Sequence, residues 1–218
     1  DRGKWGLWVH TFGTLVPPEK YFNRHPEYFA MNEKGERVPS QLCLSNPELL
    51  DVLCKELDFC MSEKPAALYW SVSQNDNYNY CKCDACQKAY EEEESPSGLL
   101  IRFINKVAGR YPDKIISTLA YQFTRKAPKL AKPAANVNIM FCNIECNRSK
   151  PIPQDTLSAG FRKDMDDWAK ISRNILLWDY IVQFSNLYTP FPNFRTLQPN
   201  MQYFAGNHVT SVFSQGNP

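Results

Sequence analysis

A chain of 218 residues with a formal net charge of +2 is long enough for one large domain or part of one. Its near-neutral balance gives no basis for a nucleic-acid or acidic-membrane partner. No apolar run approaches the length of a membrane span, no signal peptide is visible, and eight cysteines in a chain this long do not make a disulfide-dense miniprotein.

In chain order, residues 5–11 (WGLWVHT) form the first strand-like run. Residues 12–47 read as a long loop rich in Pro and aromatics, with a turn at Glu33-Lys34-Gly35. Ser45 or Asn46, followed by Pro47, can cap a helix over PELLDVLCKELDFCM. Residues 66–73 are apolar and aromatic and are then cut by turn formers, the mark of a buried strand. A short helix continues after the cysteines through the acidic run 91–94, which reads as a solvated helix face. Ser95 and Ser97 can cap the next helix, SGLLIRFINKVAGRY, which Gly109 and Pro112 end. Strands follow at 115–121 and 137–142, then an amphipathic helix, FRKDMDDWAKIS. A strand at 175–181, a helix near 196–207 and a last strand at 209–213 complete the chain.

Strands alternate with helices throughout, and the strand ends carry polar and aromatic residues. That is the βα pattern of a parallel sheet with right-handed crossovers. Six strands are visible, whereas a whole (β/α)8 TIM barrel takes about 250 residues. The expected fold is therefore an α/β TIM barrel represented by its third to eighth βα units. Residues 1–218 would be a partial catalytic domain, with two N-terminal units and flanking domains lying outside it. The competing fold, an open doubly wound sheet, usually carries a Gly-rich phosphate turn after its first strand, and the sequence has none.

The stretch 69–89, YWSVSQNDNYNYCKCDACQKA, concentrates the chemistry. Its polar cluster, Gln74-Asn75-Asp76-Asn77, falls at the carboxyl end of a strand, where α/β proteins place ligands and catalysis. Cys81, Cys83 and Cys86 follow at once. Such close neighbours pair poorly as disulfides, but as thiolates they suit a tetrahedral Zn²⁺ that needs four ligands when structural. Cys43, in the loop after the first strand, is the expected fourth ligand; the alternative is a set of free or mispaired thiols. Cys54 and Cys60 fall in a helix as small core residues, and Cys142 and Cys146 read as packing residues, with a metal role as the alternative.

The succession GLWVHTF, PPEKYFNRHPEYFAMNEKGERV, CLSNPE, a strand ending in Asp and Asn, then CKCDAC, is similar to the barrel of family 42 β-galactosidases. In some of those enzymes one loop Cys and a later C-x-C-x-x-C bind a structural zinc, which maps onto Cys43, Cys81, Cys83 and Cys86. That family places Asn-Glu at the end of its fourth strand. Here the positions read Asn75-Asp76-Asn77, with no Glu. The longer sequence, including HTFGTLVPPEKYFNRHPEYFA, QLCLSNP, WSVSQNDN, LAYQFTR, WDY and VFSQG, resembles glycoside hydrolase family 163, the endo-β-N-acetylglucosaminidases of gut Bacteroidetes. This resemblance spans nearly the whole chain. It implies a glycan or glycoprotein substrate, cleavage in the chitobiose core of N-glycans, and a periplasmic or cell-surface location.

Glycoside cleavage needs one group to protonate the leaving oxygen and another to stabilise the oxocarbenium-like centre. With N-acetyl sugars the substrate's own acetamide can attack instead. Asn143-x-Glu145 fits that variant, because residues i and i+2 of a strand face the same side. Glu145 would be acid then base, and Asn143 would bind the acetamide. The spacing resembles the Asn-x-Glu pair of family 85 endo-β-N-acetylglucosaminidases. Asp76 is the second catalytic candidate, as the amide-polarising carboxylate, a hydroxyl ligand or a turn residue. Asp179, between Trp178 and Tyr180, suits hydroxyl binding with ring stacking, or a buried Asp held by backbone amides. His10, Asn75, Tyr121, Gln122, Gln183 and Gln215 are further candidate sugar contacts, with a structural role as the alternative for each and a satisfied core histidine as the alternative for His10. His25 reads as a loop packing residue, and His208 points to the opposite end of its strand. The alternatives to an endo-glycosidase are a β-galactosidase-like exo-hydrolase using Asp76 and a non-catalytic glycan-binding barrel.

Overall fold

The computed structural model describes residues 2–188 and 190–216. The chain divides into two compact units, Asp1–Asn138 and Ile139–Pro218.

In the first unit, β1 (Trp5–Leu7) is shorter than the expected 5–11 run. The backbone turns at His10, whose φ of 55° is left-handed and ends an extended strand. Gly6 is needed where β1 passes the fully buried indole of Trp70, since a Cβ there would stand 2.2 Å from the ring. Thr11 then ties the turn to the neighbouring strand end. Its hydroxyl donates to Ser71 O (2.9 Å) and accepts from Ser73 N (3.1 Å).

The stretch expected to be a long loop holds α1 (Phe12–Leu15), α2 (Pro18–Tyr21), a 3-10 turn (Pro26–Tyr28), and the antiparallel strands β2 (Phe29–Met31) and β3 (Arg37–Leu42). Three-residue β2 and the Pro inside β3 hide both strands from any periodicity. The expected turn is the hairpin turn: Asn32 Oδ1 accepts from the amides of Lys34 and Glu36 (2.9 Å each), and Gly35 takes φ 80°.

Asn46 rather than Ser45 caps α3 (Leu49–Glu63), accepting from the amides of Glu48 (2.9 Å) and Leu49 (3.2 Å). Leu49, Leu53, Cys54 and Leu57 make its buried stripe. Then follow β4 (Tyr69–Ser71), α4 (Asp84–Glu93), α5 (Pro96–Arg110) and β5 (Ile115–Ala120). Ser95 caps α5, accepting from Ser97 N at 3.2 Å, with Pro96 in the first turn.

The acidic run 91–94 is not wholly solvated. Glu93 is fully buried. It pairs with Arg102 (2.7 Å) and accepts from the amides of Leu130 (2.8 Å) and Ala131 (3.0 Å). Although burial opposes ionisation, these amides and the guanidinium hold its carboxyl below the usual range.

The second unit holds all but the first two residues of β6 (Val137–Cys142), then α6 (Ala159–Ile171), β7 (Ile175–Tyr180), α7 (Phe194–Gly206) and β8 (Val209–Gln215). β6 is buried at every position, and α6 turns Phe161, Met165, Trp168 and Ala169 inward.

The sheet order is β1-β4-β5-β6-β7-β8, with β1–β4, β4–β5, β6–β7 and β7–β8 paired in parallel. Leaving aside the separate β2–β3 hairpin, each strand of this sheet neighbours the next in chain order, with no switch point among the described residues, so the sheet is not doubly wound. This is the α/β partial TIM-barrel fold expected from the alternation. Among the described residues, no helix is long and apolar enough to cross a membrane.

Candidate functional site

The four predicted metal ligands meet in the first unit. Cys43 follows β3, Cys81 and Cys83 lie in the loop after β4, and Cys86 sits in the first turn of α4. Their sulfurs all lie within 4.8 Å of one another, with Cys43 Sγ 3.6 Å from Cys83 Sγ and 3.9 Å from Cys86 Sγ. A tetrahedral Zn²⁺ with Zn–S bonds of about 2.3 Å sets its sulfurs about 3.8 Å apart, so the donor set fits that ion. The surroundings supply donors to sulfur: Met31 N to Cys81 Sγ (3.3 Å) and Arg37 Nη1 to the same atom (3.8 Å). Ser45, expected as a possible helix cap, instead places its hydroxyl 3.1 Å from Cys86 Sγ and 3.4 Å from Cys43 Sγ. Hydrogen bonds from Cys81 and Cys86 push the Cys43 thiol pKa down, and the same hydrogen bonds push theirs up.

A second cluster of the first unit lies at the strand ends. His10 Nδ1 donates to Gln74 O (2.8 Å). Asp76 is exposed and accepts from Gln122 Nε2 at 2.9 Å. Tyr121 is half-buried, with its ring 6.2 Å from that of His10. Like His10, Gln122 has a left-handed backbone, with φ 52°, a conformation that costs about 1–3 kcal/mol and concentrates at functional sites. Gln74, the first residue of the predicted polar cluster, is buried. Its Nε2 donates to Thr124 Oγ1 (2.7 Å), while its Oε1, like that of Gln122, has no donor among the described residues.

Asn75, expected as a sugar contact, is occupied by the fold. Its Oδ1 accepts from Gly13 N (3.1 Å) and its Nδ2 donates to Ser40 O (2.9 Å). Gln41, a residue the sequence did not single out, reinforces this. Its Nε2 donates to Asn75 O (2.7 Å), and its Oε1 accepts from Asn75 N (3.0 Å).

In the second unit, β6 ends at Cys142 and residues 143–146 form a turn closed by Cys146 N to Asn143 O (3.0 Å). Strand pleating therefore does not carry Asn143 and Glu145 to one face, as their spacing predicted. Asn143 is buried, whereas Glu145 stands exposed on the turn. Both ends of the Asn143 amide are committed: Nδ2 donates to Asp179 Oδ1 (2.6 Å), and Oδ1 accepts from Tyr180 N (3.1 Å). The expected acetamide-binding role does not suit a side chain used this way.

Arg148, which no motif marked, organises this turn. Its Nε donates to Tyr180 O (2.7 Å), and its other nitrogens reach Cys146 O, Ile144 O (3.3 Å) and Asn143 Oδ1 (3.4 Å). Burial pushes its pKa down, while the charges of Cys146, Asp179, Tyr180 and Glu145 oppose that shift. Asp179 is buried, as one of the expected readings had it, but its partner is the Asn143 side chain rather than backbone amides.

The aromatics are held in place. The Trp178 ring lies between Tyr180 (6.0 Å, stacked) and Phe213 (5.0 Å, edge-on), and its Nε1 donates to Gln215 Oε1 at 2.9 Å. Gln215 thus orients the indole, and Tyr180 is buried beside it. Gln183 is exposed and bonds Ser185 (3.2 Å). His25 stacks flat on Tyr28 (4.7 Å), as a loop packing residue should.

The solved structures that resemble the chain at low identity include two glycosidases. One is endo-glycoceramidase II from Rhodococcus sp., a cellobiose-like imidazole complex (11% identity, TM-score 0.39, 79% of this chain and 42% of that one). The other is the GH36 alpha-galactosidase AgaB from Geobacillus stearothermophilus (10% identity, TM-score 0.31, 86% of this chain and 29% of that one). The chain thus spans less than half the length of either. Likeness at this level assigns no chemistry, which rests on the residues. A search of curated proteins finds no match. The model of one family, described as "Domain of unknown function (DUF4838)", matches residues 2–218, and the chain belongs to that family.

Proposed function

We propose that this chain carries catalytic machinery of a glycoside hydrolase, an endo-β-N-acetylglucosaminidase that cleaves N-glycans in the chitobiose core with help from the substrate's acetamide. One observation carries the reading. At the carboxyl end of β7 and the turn after β6, Asp179 is held by Asn143 Nδ2 (2.6 Å), and the exposed Glu145 stands on the turn that the half-buried Arg148 ties to Tyr180 O (2.7 Å), beside the Trp178 and Tyr180 rings. A carboxylate held by an amide and a second carboxylate open to solvent are two groups with two environments, which is how acid and helper roles are divided.

The roles follow from reach, since Glu145 stands open to a substrate and Asp179 is already oriented by an amide. Glu145 protonates the leaving glycosidic oxygen and then takes the proton from the attacking water. Asp179, held by Asn143 Nδ2, accepts from the acetamide N–H, which raises the nucleophilicity of its carbonyl oxygen toward the anomeric carbon. Asn143 positions Asp179 rather than touching substrate. In the first unit, Asp76, His10 and Gln122 are proposed as ligands for sugar hydroxyls. The four cysteines are proposed to hold one structural Zn²⁺, whose charge would stabilise their thiolates and fasten the β2–β3 hairpin to the loop after β4.

Mass spectrometry of a glycoprotein digest tests the reading. The expected product is a single N-acetylglucosamine left on each glycosylated Asn. Release of terminal galactose alone, or glycans recovered intact after long incubation, would overturn it.

A further inference from the structure

We propose that the face of the β2–β3 hairpin is a second carbohydrate-binding site, which takes a neutral pyranose of a glycan against Tyr78. An open groove of about 420 Å³ lies there, lined only by residues of the first unit. One wall is the hairpin, with Lys34, Val38 and Ser40, and the other is the loop carrying Tyr78, Asn79 and Tyr80.

Two features point to a ligand. Tyr78 is 64% exposed, and among the described residues it has no ring partner and no hydrogen bond on its hydroxyl. The Asn79 carboxamide has no partner either; only its backbone amide is bonded, to Asn77 Oδ1 at 3.0 Å. An open aromatic face beside a free carboxamide matches a pyranose, which has an apolar C–H face and a polar rim.

The groove is also preformed. At one end the thiol cluster joins Cys43 of the hairpin side to Cys81 and Cys83 of the loop. At the other, Asn75 and Asn77 both donate to Ser40 O (2.9 and 3.2 Å). Tyr80 is stacked on Phe123 (5.0 Å), and the Lys82 ammonium sits 3.7 Å above its ring. Rigid walls spare a ligand the ordering cost.

Other partners fit less well. An extended peptide needs free backbone groups, but Ser40 O is taken and β2 and β3 pair with each other. An anionic ligand finds a mixed field, since Glu33 lies 3.9 Å from Lys82 Nζ.

This site stands apart from the proposed chemistry, because a glycan can bind here whether or not the chain cleaves it. The test is NMR titration of the full chain with N,N′-diacetylchitobiose and with cellobiose. Shifts are expected at Tyr78, Asn79 and Lys34 with at least one of the two sugars. Tyr78→Ala should weaken binding about tenfold or more and Tyr78→Phe should keep it, both with unchanged melting. Glu145→Gln should bind like the parent at these residues, which separates this proposal from the catalytic one. Absence of shifts at the groove, or binding that Tyr78→Ala leaves intact, would overturn it.

Discussion

Asn143 Nδ2 lies 2.6 Å from Asp179 Oδ1, and the same carboxamide accepts from Tyr180 N at 3.1 Å. One buried side chain thus joins the turn after β6 to the end of β7 and fixes the orientation of a carboxylate. A positioning residue of this kind affects both stability and turnover, and the two effects can be separated.

Asn143→Ala leaves the buried Asp179 oxygen and the Tyr180 amide without their partner. The expected loss is about 1–3 kcal/mol of stability, read from urea denaturation. Asp179→Asn should keep the fold and cut turnover of N-glycans, with little change on substrates that lack the acetamide. Equal loss on both substrates would remove Asp179 from the acetamide role.

Glu145 stands on an exposed turn, so Glu145→Gln should leave melting unchanged. Loss of the proton donor is expected to lower turnover roughly 10²–10⁴-fold. Full activity of this variant on a natural glycoprotein would remove the acid assignment.

The sulfur separations around Cys43 predict about one tightly held Zn²⁺ per chain, measured by elemental analysis of purified protein. Cys43→Ser should lower the metal content and the melting temperature together, and a chelator should do the same to the parent. A metal-free protein with the parent's melting temperature would refute the clip.

Gly98 packs directly on the buried stem of Glu93, where a Cβ would stand 2.1 Å from Glu93 Cγ. That contact is with the root of a side chain pinned by Arg102 and two backbone amides, so it cannot swing away. Gly98→Ala is expected to destabilise by about 1–3 kcal/mol, whereas Gly109→Ala, in the same helix with nothing within 4 Å, should be neutral or stabilising. Paired thermal melts decide it.

The depressed carboxyl of Glu93 also carries a pH signature. Its pKa is lower in the folded chain than the ordinary 4.5, so its contribution is fully present above that value. It is lost as pH falls through the depressed one. The stability difference between parent and Glu93→Gln, followed by urea midpoints, should shrink as pH drops below 4.5. A difference that grew on acidification would reverse the assignment.

The strand positions were legible because each is a local event, an apolar run cut by turn formers. Residues 137–142 were read to the residue, and the Ser95 cap and the turn at Gly35 were equally local. The thiol cluster was legible in part, since three of its cysteines crowd into six positions. The β2–β3 hairpin escaped because its strands are short and one contains Pro39. Arg148 escaped because its partners are carbonyls, which any residue can offer.

Alternation of short apolar runs with capped helices determines an α/β chain of βα units, and the clustering of thiols determines a metal-capable loop, from sequence alone. Each depends on neighbours a few positions apart. Only the tertiary structure decided which polar groups are consumed by the fold. Asn75 and Asn143 looked like ligands and are occupied. Glu93 looked solvated and is buried, and Gln215 looked like a sugar contact and orients an indole. A side chain's hydrogen-bonding capacity is fixed by its type, but whether that capacity remains for a substrate depends on groups tens of residues away.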